Sequence, residues 1–415
     1  MSKIEKVVLL KNAVETLGYF SEQMAIELEY LGIEVYFIDY DSLFETVSGL
    51  PQFVSRGNTA LITFNFIGFS GEDVFMQESG ATIWEAYEMH CVNILVDHPM
   101  YYHTKLVAMP TNMMIYCIDR EHVSYIKRFY PGVLVRFLPM AGNIYLPEEK
   151  NDMWHGKELR QYHKVWNYEN ELIPYKKRAY DVVFTANYVP IEKLYRTFDK
   201  MDAEYAAFYR EILEDLIAKP TQSVDVVMER HIRNELGAVS DADMRKAMAG
   251  MVFLDLCART YYRGEIIREL AENGIKVHIF GADWEHLSCK KPENIMCNGR
   301  QITSADCVKA VCNAKITLNV MPWFKDGAHD RIFTAMLQKS VALTDDSKYL
   351  REEFIDGENI VYFSLEDRKN LPGIVYRLLR DEENAVRIAE NGYRQASEKY
   401  TWRVRGYELL REFEG

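Results

Sequence analysis

Short apolar runs recur along this chain with amphipathic stretches between them, and that alternation limits the possible folds more than any other feature. Val7–Leu10 reads as a buried strand, Ser21–Leu31 as a helix with apolar Met24, Ile26, Leu28 and Leu31, and Val35–Ile38 as the next strand. Leu61–Phe66, Val92–Val96 and Met114–Ile118 continue the strand series, with Thr82–His90 helical. Strands that are continuously apolar and separated by helices predict a parallel sheet covered on both faces. The first ~140 residues therefore read as one doubly wound domain.

The alternation then breaks and resumes. From Pro147 to Lys177 the composition turns polar and charged, with Trp154, His155 and Trp166 interspersed, which reads as a connector. Strand Tyr180–Ala186 follows, then a helical stretch from Ile191 to about Leu236, a capping box at Ser240–Asp243 and a helix stop at Asn273-Gly274 before strand Val277–Phe280. Helix Ser304–Cys312, strand Ile316–Val320, helix His329–Lys339, strand Val341–Thr344, helix Ser347–Phe354 and strand Ile360–Phe363 complete a second doubly wound pattern. The expected division is a Rossmann-like domain at 1–150, a connector at 151–179 and a second domain at 180–400 with a helical insertion about 191–273, followed by a final helix at 401–415.

Composition narrows the class. The 48% apolar and 27% charged content is that of a folded globular protein, and 415 residues exceed what one core supports. A net charge of −13, from 49 basic and 62 acidic residues, repels phosphate backbones, so no nucleic-acid partner is expected. Val7–Leu10 is too short for a secretory signal, and stretches such as Ala60–Phe69 fall below the ~18 apolar residues of a membrane span. Seven cysteines (91, 117, 257, 289, 297, 307 and 312) contain no Cys-x-x-Cys pair and read as reduced thiols. A cytoplasmic location without a transmembrane segment is expected.

In open parallel sheets ligands bind beyond the carboxyl ends of the strands. After Val277–Phe280 comes Gly281-Ala-Asp-Trp284, where glycine admits close backbone approach and Trp284 offers a stacking face. After Ile316–Val320 comes Met321-Pro322-Trp323-Phe324-Lys325-Asp326-Gly327, followed by a helix opening with Ala328-His329-Asp330-Arg331. Arginine and histidine at a glycine-preceded helix start suit a diphosphate, because exposed amides and the helix dipole already favour negative charge there. Their alternative is a set of solvated charges opening an apolar helix. Asp345-Asp346-Ser347 reads as a helix cap. Asp97 and His98 close the strand Val92–Val96, either as a hydroxyl-orienting or basic pair or as a turn before Pro99.

The stretch Leu318–Phe363 resembles the C-terminal domain of spore-maturation-protein-like glycosyltransferases, a branch of the GT-B superfamily. It supplies Asn319, Pro322, Gly327, Arg331, Phe333, Thr344, Asp345, Leu350, Glu353, Phe354 and Gly357 in the order of that family's pattern. Glu15–Asp39 is similar to the first unit of a GT-B N-terminal domain, and Asn93–Tyr102 resembles a segment of close relatives. The resemblance implies two Rossmann-like domains facing across a cleft. It implies a nucleoside-diphosphate-sugar donor, most simply a UDP-sugar, on the C-terminal side and a glycan, protein or small-molecule acceptor on the other. The final helix, with Trp402 and Tyr407, would return to the first domain. Many retaining relatives carry two glutamates eight positions apart, at the donor sugar and the ribose; Asp326 and Thr334 stand at those positions here.

Gly281, Trp284, Pro322, Trp323, Gly327, Asp330 and Thr334 are thus expected to line the donor, and Asp326, His329, Arg331, His98 and Asp97 to take part in chemistry. No cofactor and no metal are expected. Asp39-Tyr-Asp41 and Asp241-Ala-Asp243 match the Asp-x-Asp spacing of metal-dependent GT-A enzymes, but turn and cap roles fit both better. A nicotinamide fold would need a glycine-rich first turn, where only Gly18 stands. A catalytically degenerate nucleotide-sugar sensor or partner subunit is the competing class.

Overall fold

The computed structural model describes residues 4–110, 112–145 and 172–414. Most of the expected connector, 151–171 with Trp154, His155 and Trp166, lies outside the described residues. Two compact units emerge. One comprises Met1–Glu171, Thr303–Ala305 and Glu398–Gly415, and the other Leu172–Ile302 and Asp306–Ser397.

The first unit holds a parallel six-stranded sheet of β1 (Lys6–Lys11), β2 (Glu34–Asp39), β3 (Thr59–Phe64), β4 (His90–Leu95), β5 (Met113–Cys117) and β6 (Val135–Phe137), ordered β2-β1-β3-β4-β5-β6. The order in which strands are added reverses between β1 and β3, which is the sheet's topological switch point. The turn after β1 runs through Asn12 in the left-handed region (φ 64°). Gly18, in helix Glu15–Tyr30, packs so tightly on that turn that a Cβ would meet Asn12 N at 3.0 Å. The expected helix Thr82–His90 shrinks to Ile83–Ala86, because the chain enters β4 at His90. Helices Leu43–Phe53 and Arg120–Phe129 and strand β6 were not foreseen.

The last helix, Trp402–Glu414, belongs to this unit. Trp402 is buried with its indole N–H donating to Asn143 Oδ1 at 2.9 Å and its ring against Phe20 and Phe64. Arg403 pairs with Glu27 at 2.7 Å, and buried Arg405 donates to the carbonyls of Pro139 and Lys399. Tyr407 is exposed.

The second unit repeats the architecture with β7 (Tyr180–Phe184), β8 (Val277–Ile279), β9 (Ile295–Cys297), β10 (Ala314–Asn319), β11 (Val341–Asp345) and β12 (Val361–Phe363), all parallel and ordered β12-β11-β10-β7-β8-β9. Its switch point lies between β7 and β10, which pair with Val183 opposite Thr317. Val182, Phe184, Ile316, Leu318, Val341 and Leu343 form the sheet's core with Ile266, Leu270 and Val375 from covering helices. The foreseen helical stretch from Ile191 to Leu236 is three helices, Ile191–Tyr195, Ala203–Ala218 and Val224–Leu236, the last two separated around Pro220. Pro220 has no amide hydrogen to continue a helix. These, with Asp241–Ala249 and Val252–Glu272, make an all-helical insertion between β7 and β8. The chain thus has the α/β two-domain architecture expected of the GT-B type, two parallel six-stranded sheets with flanking helices.

Candidate functional site

Charged side chains gather at the switch point of the second sheet, where three segments converge. The loop after β10 begins with Met321, whose amide donates to Asp345 Oδ1 at 2.8 Å, so the end of β11 fixes its starting point. Burial pushes the Asp345 carboxyl up to about 7. The loop's carbonyls are held in turn, Pro322 by Lys325 Nζ and Gly327 by Ser347 Oγ at 2.6 Å. Ser347 also caps helix Lys348–Glu353 by accepting from Leu350 N. Asp326 is buried, with Lys348 Nζ 3.7 Å from its carboxylate.

The loop delivers the chain into helix Asp330–Leu337, with His329 at its N-cap position. His329 Nδ1 lies 2.7 Å from Asp330 Oδ1 and 3.4 Å from the backbone N–H of Arg331. The shorter contact is to a carboxylate; burial alone would raise it, but the His329 ring and Arg331 hold it below the ordinary range, hence ionised. We therefore assign the ring proton to Nδ1. Burial, and then the Arg331 charge, push the His329 pKa down, so the ring is neutral at pH 7 and Nε2 is its open acceptor. Thr334, one turn further on, is buried with its neighbours 332–337.

Arg331 Nη1 is buried and makes no hydrogen bond. A buried guanidinium nitrogen without an acceptor is costly, and an anionic ligand is one way to satisfy it. Two further arginines surround it, and neither was singled out from the sequence. Arg259 and Arg263 lie one turn apart on helix Val252–Glu272, with guanidinium carbons 4.1 and 5.3 Å from the ring centroid of buried Trp323. Arg259 also pairs with buried Asp255 at 2.8 Å, and Arg263 Nη1 donates to Asn187 O, in the loop after β7, at 3.2 Å. Arg259 is close enough to Arg331, and Arg263 to His329, for each to depress the other group's proton affinity. The signal available in sequence was an i, i+4 arginine pair on one helix. Trp323 was expected as a ligand-facing ring; it serves as the surface on which two arginines stack.

Other expectations are corrected by packing. Gly281 follows β8, but a Cβ there would sit 2.0 Å from Ala186 O; the glycine admits the β7 loop, not a ligand. Trp284 is 1% exposed and donates its N–H to Ala186 O at 2.6 Å, so its faces belong to the core. His98 is also buried, accepting from Met100 N at 3.2 Å and packed edge-on against His122 and Tyr125, which removes it from solvent as a base. Asp97 accepts from Asn65 Nδ2 at 3.1 Å.

Both Asp-x-Asp segments are local: Asp39 accepts from Asp41 N, and Asp243 exchanges bonds with Ser240. Among the described residues Asp283, Glu285 and His286 bring three potential metal-ligand atoms within 4.8 Å, at a partly open site where Lys193 also approaches Asp283 at 3.9 Å. No helix among the described residues is long and apolar enough to cross a membrane.

No curated protein matches the chain. Among solved structures it is similar to sucrose-phosphate synthase from Thermosynechococcus elongatus, at 13% identity over 99% of this chain and 98% of that one, with a TM-score of 0.47. It is also similar to Anabaena Alr3699/HepE in complex with UDP and glucose (11%, 99% and 100%, TM-score 0.46) and to a glycosyltransferase from Rickettsia africae (9%, 99% and 98%, TM-score 0.43). None is near enough to transfer a substrate. The family model described as glycosyl transferase-like matches residues 259–411, a span that opens on Arg259 and contains Trp323, His329 and Arg331. The match covers more than a third of the chain, and over that span the chain is similar to that family.

Proposed function

We propose that the chain transfers a sugar from a nucleoside-diphosphate sugar, a UDP-sugar in the simplest case, to an acceptor hydroxyl, with the donor held at the switch point of the second sheet. The observation that carries this reading is the buried, unpartnered Nη1 of Arg331 beside Arg259 and Arg263. In the reaction the acceptor oxygen bonds to the anomeric carbon while that carbon's bond to the β-phosphate oxygen breaks. The hydroxyl proton is released, and the nucleoside diphosphate leaves with the electron pair. Negative charge therefore grows on the β-phosphate, where fixed cations stabilise the transition state more than the ground state.

Arg331 and the amides opening helix Asp330–Leu337 take that charge, with Arg259 and Arg263 behind them. His329, from sequence a second diphosphate ligand, fits another task. A neutral ring with its proton on Nδ1 presents only an acceptor at Nε2, which suits a sugar hydroxyl and not a phosphate oxygen. Asp326, next to Gly327, orients the sugar, and the acceptor is taken by the first unit. Of the finer assignments, membership of the spore-maturation-protein-like branch rests on the Leu318–Phe363 pattern alone.

The test is titration with UDP followed by assay of UDP release from a panel of UDP-sugars. Saturable UDP binding with acceptor-dependent release supports a transferase. Binding without turnover against any acceptor supports a sensor, and no nucleotide binding at all overturns the reading.

A further inference from the structure

The first unit contains a cavity of about 470 Å³ that none of the assignments above uses. It opens beyond the carboxyl end of β3, one of the two strands at that sheet's switch point, and is walled by Phe66, Phe69 and Phe75 with Glu72, Glu85 and Lys105. Its volume lies within the range of small-ligand sites.

The β3 turn that enters it is strained and deliberately held. Asn65 and Phe66 are both left-handed, at φ 50° and 59°, a costly region for an aromatic residue. Three bonds impose it: Val96 N donates to Asn65 Oδ1, Asn65 Nδ2 to Asp97 Oδ2, and Phe66 N to the fully buried Asn93 Oδ1 at 2.8 Å. Strain that is over-determined in this way marks ligand sites more often than bare scaffolding.

The polar groups are fixed as well. Glu72 accepts from Tyr40 OH and Ser70 N, one on each oxygen. Glu85 accepts from Thr82 N and Oγ1 through Oε2, leaving Oε1 to spare, and Lys105 Nζ donates to Phe69 O at 2.8 Å. Phe66 and Phe75 are buried and give their faces to the core, so half-buried Phe69 is the ring left to cover the apolar C–H face of a sugar, while the immobilised carboxylates beside it accept hydroxyl donors. Two carboxylates against one ammonium disfavour an anionic ligand.

We infer that this cavity is the subsite for the sugar-accepting molecule, and that it takes an uncharged or cationic hydroxylated ring and excludes acidic sugars. The inference rests on the transferase reading for its purpose, but its test is independent of the donor. Saturation-transfer NMR on the full chain, with methyl glucoside, methyl N-acetylglucosaminide and methyl glucuronide as probes, reads the cavity, and UDP titration of the same samples reads the donor site.

The expected result is binding of at least one neutral glycoside and none of the glucuronide. Phe69→Ala and Glu85→Gln should each weaken it by roughly ten-fold or more, the loss of one ring face or one charge-assisted bond. UDP affinity should match the parent in both variants. Gln at position 85 keeps the helix cap, so a folded protein is expected there. Absence of neutral-glycoside binding, preference for the glucuronide, or binding untouched by both folded variants overturns the subsite. Absence of UDP binding instead counts against the donor reading.

Discussion

Arg331 is the residue on which the proposed donor site turns. It opens a helix, keeps a buried nitrogen without an acceptor, and has a second arginine near enough to repel it. Arg331→Ala should lower transfer by about 30- to 1000-fold, the consequence of losing about 2–4 kcal/mol at developing phosphate charge, while lysine restores only part because it lacks the planar fork. Steady-state rates with a UDP-sugar and a UDP titration check it; a folded alanine variant unchanged in both removes the diphosphate from this site.

Asp345 supplies a stability test at the same scale. Its carboxyl is raised from 3.8 to about 7 by burial, so between those values the folded state holds a proton that the unfolded chain has lost. Stability from this group therefore falls as pH rises from about 4 to 7, by roughly 4 kcal/mol at about 1.4 per pH unit over three units. Asp345→Asn keeps an acceptor for Met321 N and cannot ionise, so its stability relative to the parent should increase from pH 5 to pH 8 in denaturant melts. A constant difference across that range would mean that Asp345 is ionised throughout.

Close backbone contacts hold the elements that build the site as well as side-chain bonds. The loops after β7 and β8 touch where Gly281 meets Ala186, and a methyl there would lie 2.0 Å from the Ala186 oxygen. Gly281→Ala must displace the β7 loop that carries Asn187 and receives Arg263. We expect a loss of about 1–3 kcal/mol in stability, together with weaker UDP binding, measured by melting and titration. Trp402→Ala, which empties a buried indole site in the first unit, should cost about 3–5 kcal/mol, with UDP affinity unchanged in the folded fraction.

The same contacts explain what could be read from sequence. Strands β1, β3, β10 and β11 were legible because each carries a mostly apolar run that stops at turn residues. Three-residue β6 and β9 carry too few positions to show a period. The loop from Met321 to Arg331 was legible as a unit, because glycine, proline and clustered charge stand together. Arg259 and Arg263 were not, since they reach Trp323 across sixty positions of chain that only the fold brings together. Trp284 was misread because a tryptophan after a strand gives no sign in sequence of whether its faces are open or packed.

At the scale of the molecule, an acidic chain has gathered arginines around a single point. With a net charge of −13, the protein as a whole repels a nucleoside diphosphate, so attraction must come from the local field of Arg259, Arg263 and Arg331 within a buried setting. In the proposed reaction three fixed cations, Arg331 with its unused buried nitrogen among them, would supply the charge that a divalent ion provides in metal-dependent transferases. Turnover should accordingly be the same, within about two-fold, in EDTA and in added magnesium or manganese, because each arginine withdrawn would matter more than any ion supplied. The comparison is made on one preparation, with UDP release as the readout and salt held constant, since exposed parts of the field are screened over about 8–10 Å. Loss of activity in EDTA with recovery on manganese would contradict the arginine-based mechanism. The partly open group Asp283, Glu285 and His286, beyond β8, would then be the first place to look for the ion, and Asp283→Asn would have to abolish that recovery.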